Sequence, residues 1–240
     1  MKKFTEYTLE LLHAVQKRRL KMKVLLVSMP FGALKRPNIK ISLLKSKLGQ
    51  SNIDCDIQYL NERFAELTGY ADYDWICSDL PFTALAGDWI FTSALYGENP
   101  ATDQRYIDNV LKKNWQLEDF SITRLMRIRM LAGYFLDYCM HSISWNEYDI
   151  VGFISAFEQN IASLALAKCI KQNHPSMEIA FGCEYREGES SKDFLKSFEF
   201  VDHICSGNVS DSFLKLICSL CDQNPFGARR VEVHPGKDVR

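Results

Sequence analysis

Two short apolar runs, each ending abruptly in small, polar and aromatic residues, stand out in the hydrophobic pattern of this chain. The first covers residues 24–27 and continues as Ser28-Met29-Pro30-Phe31-Gly32; the second covers residues 149–154 and continues through residues 155–160. Nearly unbroken runs of this length are typical of parallel strands buried on both faces. Open α/β sheets bind ligands where neighbouring strands of this kind end. These two loops are therefore the first places to search for function.

The rest of the pattern alternates strands with helices, apart from one long interruption. Strands are predicted at residues 23–29, 54–60, 149–154, 178–181 and 201–205. Helices are predicted at residues 38–48, 159–172, 191–197 and 210–221, with Ile39, Leu43, Leu44 and Leu48 on one face of the first. Residues 61–147 contain no convincing strand and are rich in Phe, Tyr and Trp, which predicts a helical insertion.

Five β/α units predict a doubly wound α/β fold with a five-stranded parallel sheet in the order 2-1-3-4-5. In that order the chain reverses direction between strands one and three, so a crevice should open between their ends. The insertion follows strand two and is well placed to roof this crevice. We expect the α/β domain to cover residues 23–222.

The two ends of the chain do not fit this alternation. Residues 1–22 are basic, with leucines that approximate a helical stripe. Two interpretations are favoured: a solvated leading helix, or a segment that precedes a true start at Met22. The third is a basic amphipathic segment that docks on a membrane or a partner. Residues 223–240 contain prolines, glycines and charges without periodicity, which predicts a tail or linker.

Composition excludes several classes of function. The chain has 240 residues, of which 47% are hydrophobic and 25% charged, and its net charge is -1. A nucleic-acid partner or an acidic membrane surface is therefore not expected. No apolar run reaches the ~18 residues that span a bilayer, and no secretory signal is recognisable. The cysteines are scattered, with Cys55, Cys139 and Cys169 in apolar patterns, so we expect a cytoplasmic protein with reduced thiols.

The common cofactor and metal motifs are missing. Only Gly32 is present where a dinucleotide fingerprint would need three glycines, and no phosphate-binding P-loop occurs. Cys218 and Cys221 have C-x-x-C spacing, but two ligands cannot complete a tetrahedral metal site, so structural packing is favoured. No histidine lies in the D-x-H-x-x-G pattern of a cobalt ligand. His174 and His203 are expected to be structural.

The loop after strand three combines polar groups with an aromatic ring. Ser155, Gln159 and Asn160 either cap the following helix locally or present hydroxyl and amide groups to a ligand. Phe157 would lie at the mouth of the crevice, opposite Met29 and Phe31. An apolar wall with a few polar groups suits a large, flat organic ligand. Three glycines, Gly182, Gly188 and Gly207, extend the same rim after strands four and five.

Several segments resemble the N-terminal cobalamin-binding domain of radical SAM proteins that mature ribosomally synthesised peptides, the C-methyltransferase type. They are residues 24–32 (VLLVSMPFG), 59–67 (YLNERFAEL), 85–91 (LAGDWIF) with 94–97 (ALYG), 148–160, and 162–167 (ASLALA). The resemblance spans roughly residues 22–207. It implies a flavodoxin- or Rossmann-like sheet that holds the corrin ring at the ends of its strands.

The resemblance assigns particular residues to the corrin. It places Met29, Pro30, Phe31, Gly32, Ser155, Phe157, Gln159 and Asn160 around the ring, with Gly182 on the rim and Gly207 near the nucleotide tail. Asn61 matches a family position to which we assign no role. Two positions depart from the family pattern: Cys183 replaces a glycine, and Asn208 replaces a glutamate.

The chain has no radical SAM barrel and no cluster-binding cysteine motif, so no iron–sulfur cluster and no radical chemistry are expected of it alone. The leading hypothesis is a cobalamin-binding module that carries the corrin for a separate or missing radical SAM partner. The alternative is a cofactor-free interaction protein of the same fold that binds a peptide substrate or a maturase partner. An independent enzyme ranks last, because no nucleophile–base pair can be assigned.

Overall fold

Five parallel strands follow the apolar runs of the sequence. In the computed structural model, which describes residues 22–35, 38–154, 158–183, 189–222 and 232–233, they are β1 (Lys23–Ser28), β2 (Asp54–Tyr59), β3 (Ile150–Ile154), β4 (Glu178–Cys183) and β5 (His203–Ser206). Their order is β2-β1-β3-β4-β5, which confirms the predicted doubly wound α/β fold. A two-residue strand, β6 (Glu232–Val233), pairs in parallel with β5 and comes from the stretch expected to be a tail or linker.

The helices divide into those that flank the sheet and those of the insertion. They are α1 (Ile39–Gln50), α2 (Leu60–Thr68), α3 (Tyr70–Asp74), α4 (Ala86–Tyr96), α5 (Pro100–Tyr106), α6 (Asp119–Ser142), α7 (Asn160–Asn173), α8 (Glu189–Ser197) and α9 (Val209–Asp222). Helices α2 to α6 lie between β2 and β3, as the sequence predicts. Short π-helical and 3-10 segments join them at Trp75–Asp79, Phe82–Ala84, Ile107–Asn114 and Trp145–Glu147.

The sheet buries a separate apolar core on each face because successive side chains of a strand point to opposite sides. Val24 and Leu26 of β1 face the core formed with α1 and α9. Leu25 and Val27 face the larger core, which contains α7 and the insertion helices α2, α4 and α6. This arrangement explains the unbroken apolar run of β1, since both of its faces are covered.

The buried face of α1 differs from the prediction. Ile41, Leu44 and Leu48 are fully buried, whereas Ile39 is 75% exposed and Leu43 is 49% exposed. The buried positions follow the helical spacing of three and four residues from Ile41. Including Ile39 and Leu43 in the buried face was therefore wrong, because both lie about 160° around the helix from Ile41.

The register places the loops after β1 and β3 side by side. Val27 lies opposite Gln58 of β2 on one side and opposite Phe153 of β3 on the other. The segments that follow these strands therefore leave the same edge of the sheet. Helix α2 starts directly after β2, which brings the insertion over this edge.

Within the described ranges, no helix is both long enough and apolar enough to cross a membrane.

Candidate functional site

The end of β1 is covered by aromatic rings from three helices of the insertion. Phe31 is only 6% exposed, and its ring centroid lies 5.6 Å from that of Phe64, 5.2 Å from Tyr73 and 6.4 Å from Phe91. These rings belong to α2, α3 and α4. Met29 is 1% exposed and joins the same cluster. The insertion therefore roofs the strand ends, as predicted, and its side chains also fill the space beneath.

Hydrogen bonds join the loops after β1 and β3 to each other and to the insertion. Gln159, 3% exposed, donates its side-chain N–H to the carbonyl oxygen of Met29. The Tyr73 hydroxyl donates to the carbonyl oxygen of Gly32 at 2.7 Å. A Cβ atom at Gly32 would lie only 2.6 Å from Nε2 of Gln159, so glycine is needed for this close approach.

The structure describes only some of the other residues expected around the corrin or on the rim of the crevice. Ser155, Phe157 and Gly188 lie outside the described residues. Asn160 begins α7, and Gly207 has a φ of +70° in the turn before α9. At Gly182, a Cβ atom would lie 2.4 Å from Cγ1 of Val209. Helix α9 therefore makes the close approach expected at Gly182.

Three of the residues expected around a corrin are buried in this structure. None of Met29, Phe31 and Gln159 is more than 6% exposed, and the insertion packs against Phe31. Their assignment to a corrin stays a prediction, since Ser155 and Phe157 on the other side of the crevice lie outside the described residues.

Two carboxyl groups, that of the buried Glu158 and that of the half-buried Asp88, link the insertion to the segment after β3. Oε1 of Glu158 accepts a hydrogen bond from the backbone N–H of Gly87, at the start of α4 (3.3 Å). Oδ1 of Asp88 accepts from the backbone N–H of Ile161, at the start of α7 (3.0 Å). Each carboxyl group thus caps the N-terminus of the other helix, where negative charge is favoured.

The two helices run in parallel from these caps. The carbonyl oxygen of Leu95 in α4 accepts a hydrogen bond from the side chain of Lys168 in α7 (2.8 Å). Leu95 follows Asp88 by seven residues, and Lys168 follows Ile161 by the same number. Helix α4 is therefore fixed along α7 at two levels. This packing holds the insertion over the strand ends.

Burial changes the acidity of both carboxyl groups. Loss of solvent raises the pKa of Glu158 to about 7, against the hydrogen bond from Gly87 and with a further contribution from the nearby charge of Asp88. Burial also raises the pKa of Asp88, while the backbone groups at the start of α7 oppose this rise. Glu158 therefore changes its charge close to neutral pH.

A cavity of about 570 Å³ lies beside this pair of caps. It is bounded by α4, α5, Arg129 of α6 and Ile161 of α7. Trp89 and Tyr106 stack at 4.9 Å to form an aromatic wall. Of the residues expected to hold a corrin, those that the structure describes do not line this cavity.

One wall of the cavity contains a paired charge. Arg129 donates from one nitrogen to both carboxylate oxygens of Asp103, at 2.8 and 3.0 Å, and its guanidinium group lies over the Trp89 ring. The indole N–H of Trp89 also donates to Asp103, at 2.9 Å. The positive charge of Arg129 is therefore already compensated by protein groups.

Neither Glu158 nor Asp88 was identified from the sequence, and the cavity was not anticipated. A weak signal existed for both residues. Glu158 is the one acid in the loop after the apolar run of β3, and Asp88 is the one charged residue of a mostly apolar helix. The contacts of Glu158 with α4 and of Asp88 with α7 depend on how the insertion packs against the sheet, and local sequence patterns do not predict this packing.

The cysteines and histidines show no metal site in the part of the chain that the structure describes, where no group of three suitable side chains comes together. Cys218 is half-buried and Cys221 is buried on α9. His203 is 2% exposed, with Nε2 2.7 Å from the carboxylate of Glu178. This contact joins β5 to β4, and the structural role of His203 stays a prediction.

Comparison of the chain with protein-family models, with curated proteins and with solved structures finds no match. The resemblance to cobalamin-binding domains therefore depends on the sequence segments quoted above.

Proposed function

We propose that this chain is an interaction protein with a doubly wound α/β fold, which binds a peptide substrate or a maturase partner without holding a corrin. The observation that carries the proposal is the packing of the insertion against Phe31 at the end of β1. Gln159, also expected at the corrin, donates a hydrogen bond to Met29 and so joins the loop after β3 to the loop after β1. In this proposal the chain has the α/β fold of a cobalamin-binding domain, but side chains of the insertion occupy the place of the cofactor.

An exposed apolar stripe on α6 supports a role in protein contacts. Met126, Met130, Tyr134 and Tyr138 recur every four residues and are 49%, 80%, 65% and 43% exposed. Side chains at this spacing lie close to one face of a helix. Exposed apolar patches are typical of protein contact sites, and methionine and tyrosine are enriched at interfaces.

A second candidate, carriage of cobalamin, is favoured by one observation. Asn61, 4% exposed at the start of α2, has a buried side-chain oxygen without a hydrogen-bond partner among the described residues. Leaving such an acceptor unsatisfied costs about 1–3 kcal/mol. The amide groups at the edge of a corrin could donate to it. This candidate requires the insertion to leave the strand ends.

Titration of the purified, reduced protein with hydroxocobalamin separates the two candidates. The visible spectrum reports ligation of the corrin, and the melting temperature reports binding to the folded state. A carrier at 100 times its dissociation constant would gain about 2.7 kcal/mol. For a chain of this size, that gain raises the melting temperature by roughly 5–10 °C.

The interaction-protein proposal predicts an unchanged spectrum and an unchanged melting temperature. A stoichiometric complex would overturn it and support carriage of cobalamin. In that case Asn61→Ala should weaken the complex, whereas Asn114→Ala, at an exposed position of the insertion, should not.

A further inference from the structure

The cavity beside α4 has the size of a small-molecule site. Its volume of about 570 Å³ lies within the roughly 300–1,000 Å³ of ordinary ligand pockets. Leu85 and Ile161 add apolar surface to the wall made by Trp89 and Tyr106. A ligand with an apolar body could therefore bury most of its surface here.

The aromatic wall is held in place before any ligand binds. The Tyr106 hydroxyl donates to the carbonyl oxygen of Ala84 at 2.7 Å. The indole N–H of Trp89 is held by Asp103, and the Trp89 side chain is 6% exposed. Fixed side chains reduce the entropy that binding would otherwise cost.

The charges around the cavity favour a cation. Three carboxylates, Asp88, Glu98 and Asp103, and one guanidinium group, Arg129, belong to the lining. Asp103 is paired with Arg129 at 2.8 Å. Asp88 accepts from the backbone of α7, and the described lining contains no second cationic side chain beside Arg129, so the remaining charge is negative.

We propose that this cavity binds a protonated amine carried on an apolar body, with the carboxylate of Asp88 as its counter-ion and the Trp89–Tyr106 wall as its apolar surface. The amine belongs either to a free small molecule or to the side chain of a lysine in a peptide. This site is lined by other residues than the crevice between β1 and β3, so the hydroxocobalamin titration does not decide it.

The test compares an amine with an acid of the same shape. 2-Phenylethylamine and 3-phenylpropionate are titrated into the full chain at about pH 8, where an ordinary amine is still protonated. Tryptophan fluorescence and the melting temperature report binding. A capped Leu-Lys-Leu peptide forms a second arm, because it offers the same amine from a peptide.

Matched variants then test the role of Asp88. Asp88→Asn keeps an oxygen that can accept from Ile161 but removes the charge. Asp54→Asn makes the same change at an exposed position at the start of β2. We expect 2-phenylethylamine to bind at least about tenfold more tightly than 3-phenylpropionate, a difference of about 1.4 kcal/mol. Asp88→Asn should remove this preference, and Asp54→Asn should leave it unchanged.

Each outcome decides part of the proposal. Binding of the free amine alone assigns a small-molecule site, and tighter binding of the capped peptide assigns a lysine side chain. Equal binding of amine and acid by the unaltered chain overturns the charge assignment without reference to any variant. Failure of both the amine and the peptide to bind at millimolar concentration overturns the site itself.

Discussion

The buried carboxyl group of Glu158 should make the free energy of unfolding fall as the pH rises towards neutrality. In the fold the pKa of Glu158 is about 7, against 4.5 for an ordinary glutamate. Between these two pH values the folded state holds a proton that the unfolded chain has lost. The stabilising effect is complete below about pH 4.5 and is lost as the pH rises through about 7.

The size of this effect follows from the two pKa values. A tenfold difference in proton affinity corresponds to about 1.4 kcal/mol. The rise from 4.5 to about 7 therefore corresponds to a loss of up to about 3 kcal/mol between acidic and neutral pH. Glu158 is 7% exposed, so solvent screens the effect little. Asp88 acts in the same direction, because its pKa is also raised.

Urea unfolding of Glu158→Gln at about pH 4 and about pH 8 isolates the contribution of this one residue. The glutamine keeps an oxygen for the backbone N–H of Gly87 and does not titrate. The variant should match the unaltered protein at the lower pH and exceed its stability by up to about 3 kcal/mol at the higher pH. Glu62→Gln, at an exposed position of α2, should follow the unaltered protein at both. An equal difference between Glu158→Gln and the unaltered protein at the two pH values would refute the reasoning.

Two further pairs of substitutions test the packing of the insertion by urea unfolding. Gly87→Ala places a Cβ atom 2.5 Å from the Phe31 ring and should cost about 1–3 kcal/mol, whereas Gly133→Ala, with no atom within 4 Å, should stabilise α6 by about 0.5–1 kcal/mol. A loss at Gly133→Ala as large as that at Gly87→Ala would contradict this packing. On the same helix, Leu125→Ala should cost about 2–5 kcal/mol because Leu125 is fully buried, while Met126→Ala, 49% exposed, should change stability by less than about 0.5 kcal/mol. Equal losses of stability from Leu125→Ala and Met126→Ala would contradict the burial of Leu125 and the exposure of Met126.

The strands and their order could be predicted because the signal for them is local. Residues 24–27 form an unbroken apolar run since both faces of β1 are covered, and the observed strand ends within one residue of the prediction. The absence of strands from residues 61–147 likewise predicted a helical insertion. In α1 the pattern was less decisive, because an exposed Ile39 and Leu43 look like core residues when read without their neighbours in space.

The site was harder to predict because it depends on contacts between distant segments. Met29 and Phe31 have the same sequence pattern whether they face a ligand or the aromatic rings of the insertion. Which of these they face depends on how α2, α3 and α4 pack, and on the capping of α4 and α7 by Glu158 and Asp88. These contacts span 71 and 73 residues, beyond the reach of periodicity.

The central claim is that Phe31 belongs to the core formed by the insertion. The most direct measurement is the free energy of unfolding of Phe31→Ala in the absence of any corrin, beside Phe120→Ala at a position that is 77% exposed. Loss of the contacts with Phe64, Tyr73 and Phe91 predicts a cost of about 3–5 kcal/mol for Phe31→Ala and little change for Phe120→Ala. A cost below about 1 kcal/mol for Phe31→Ala would contradict the account, because a ring that lines an open crevice supports little of the core.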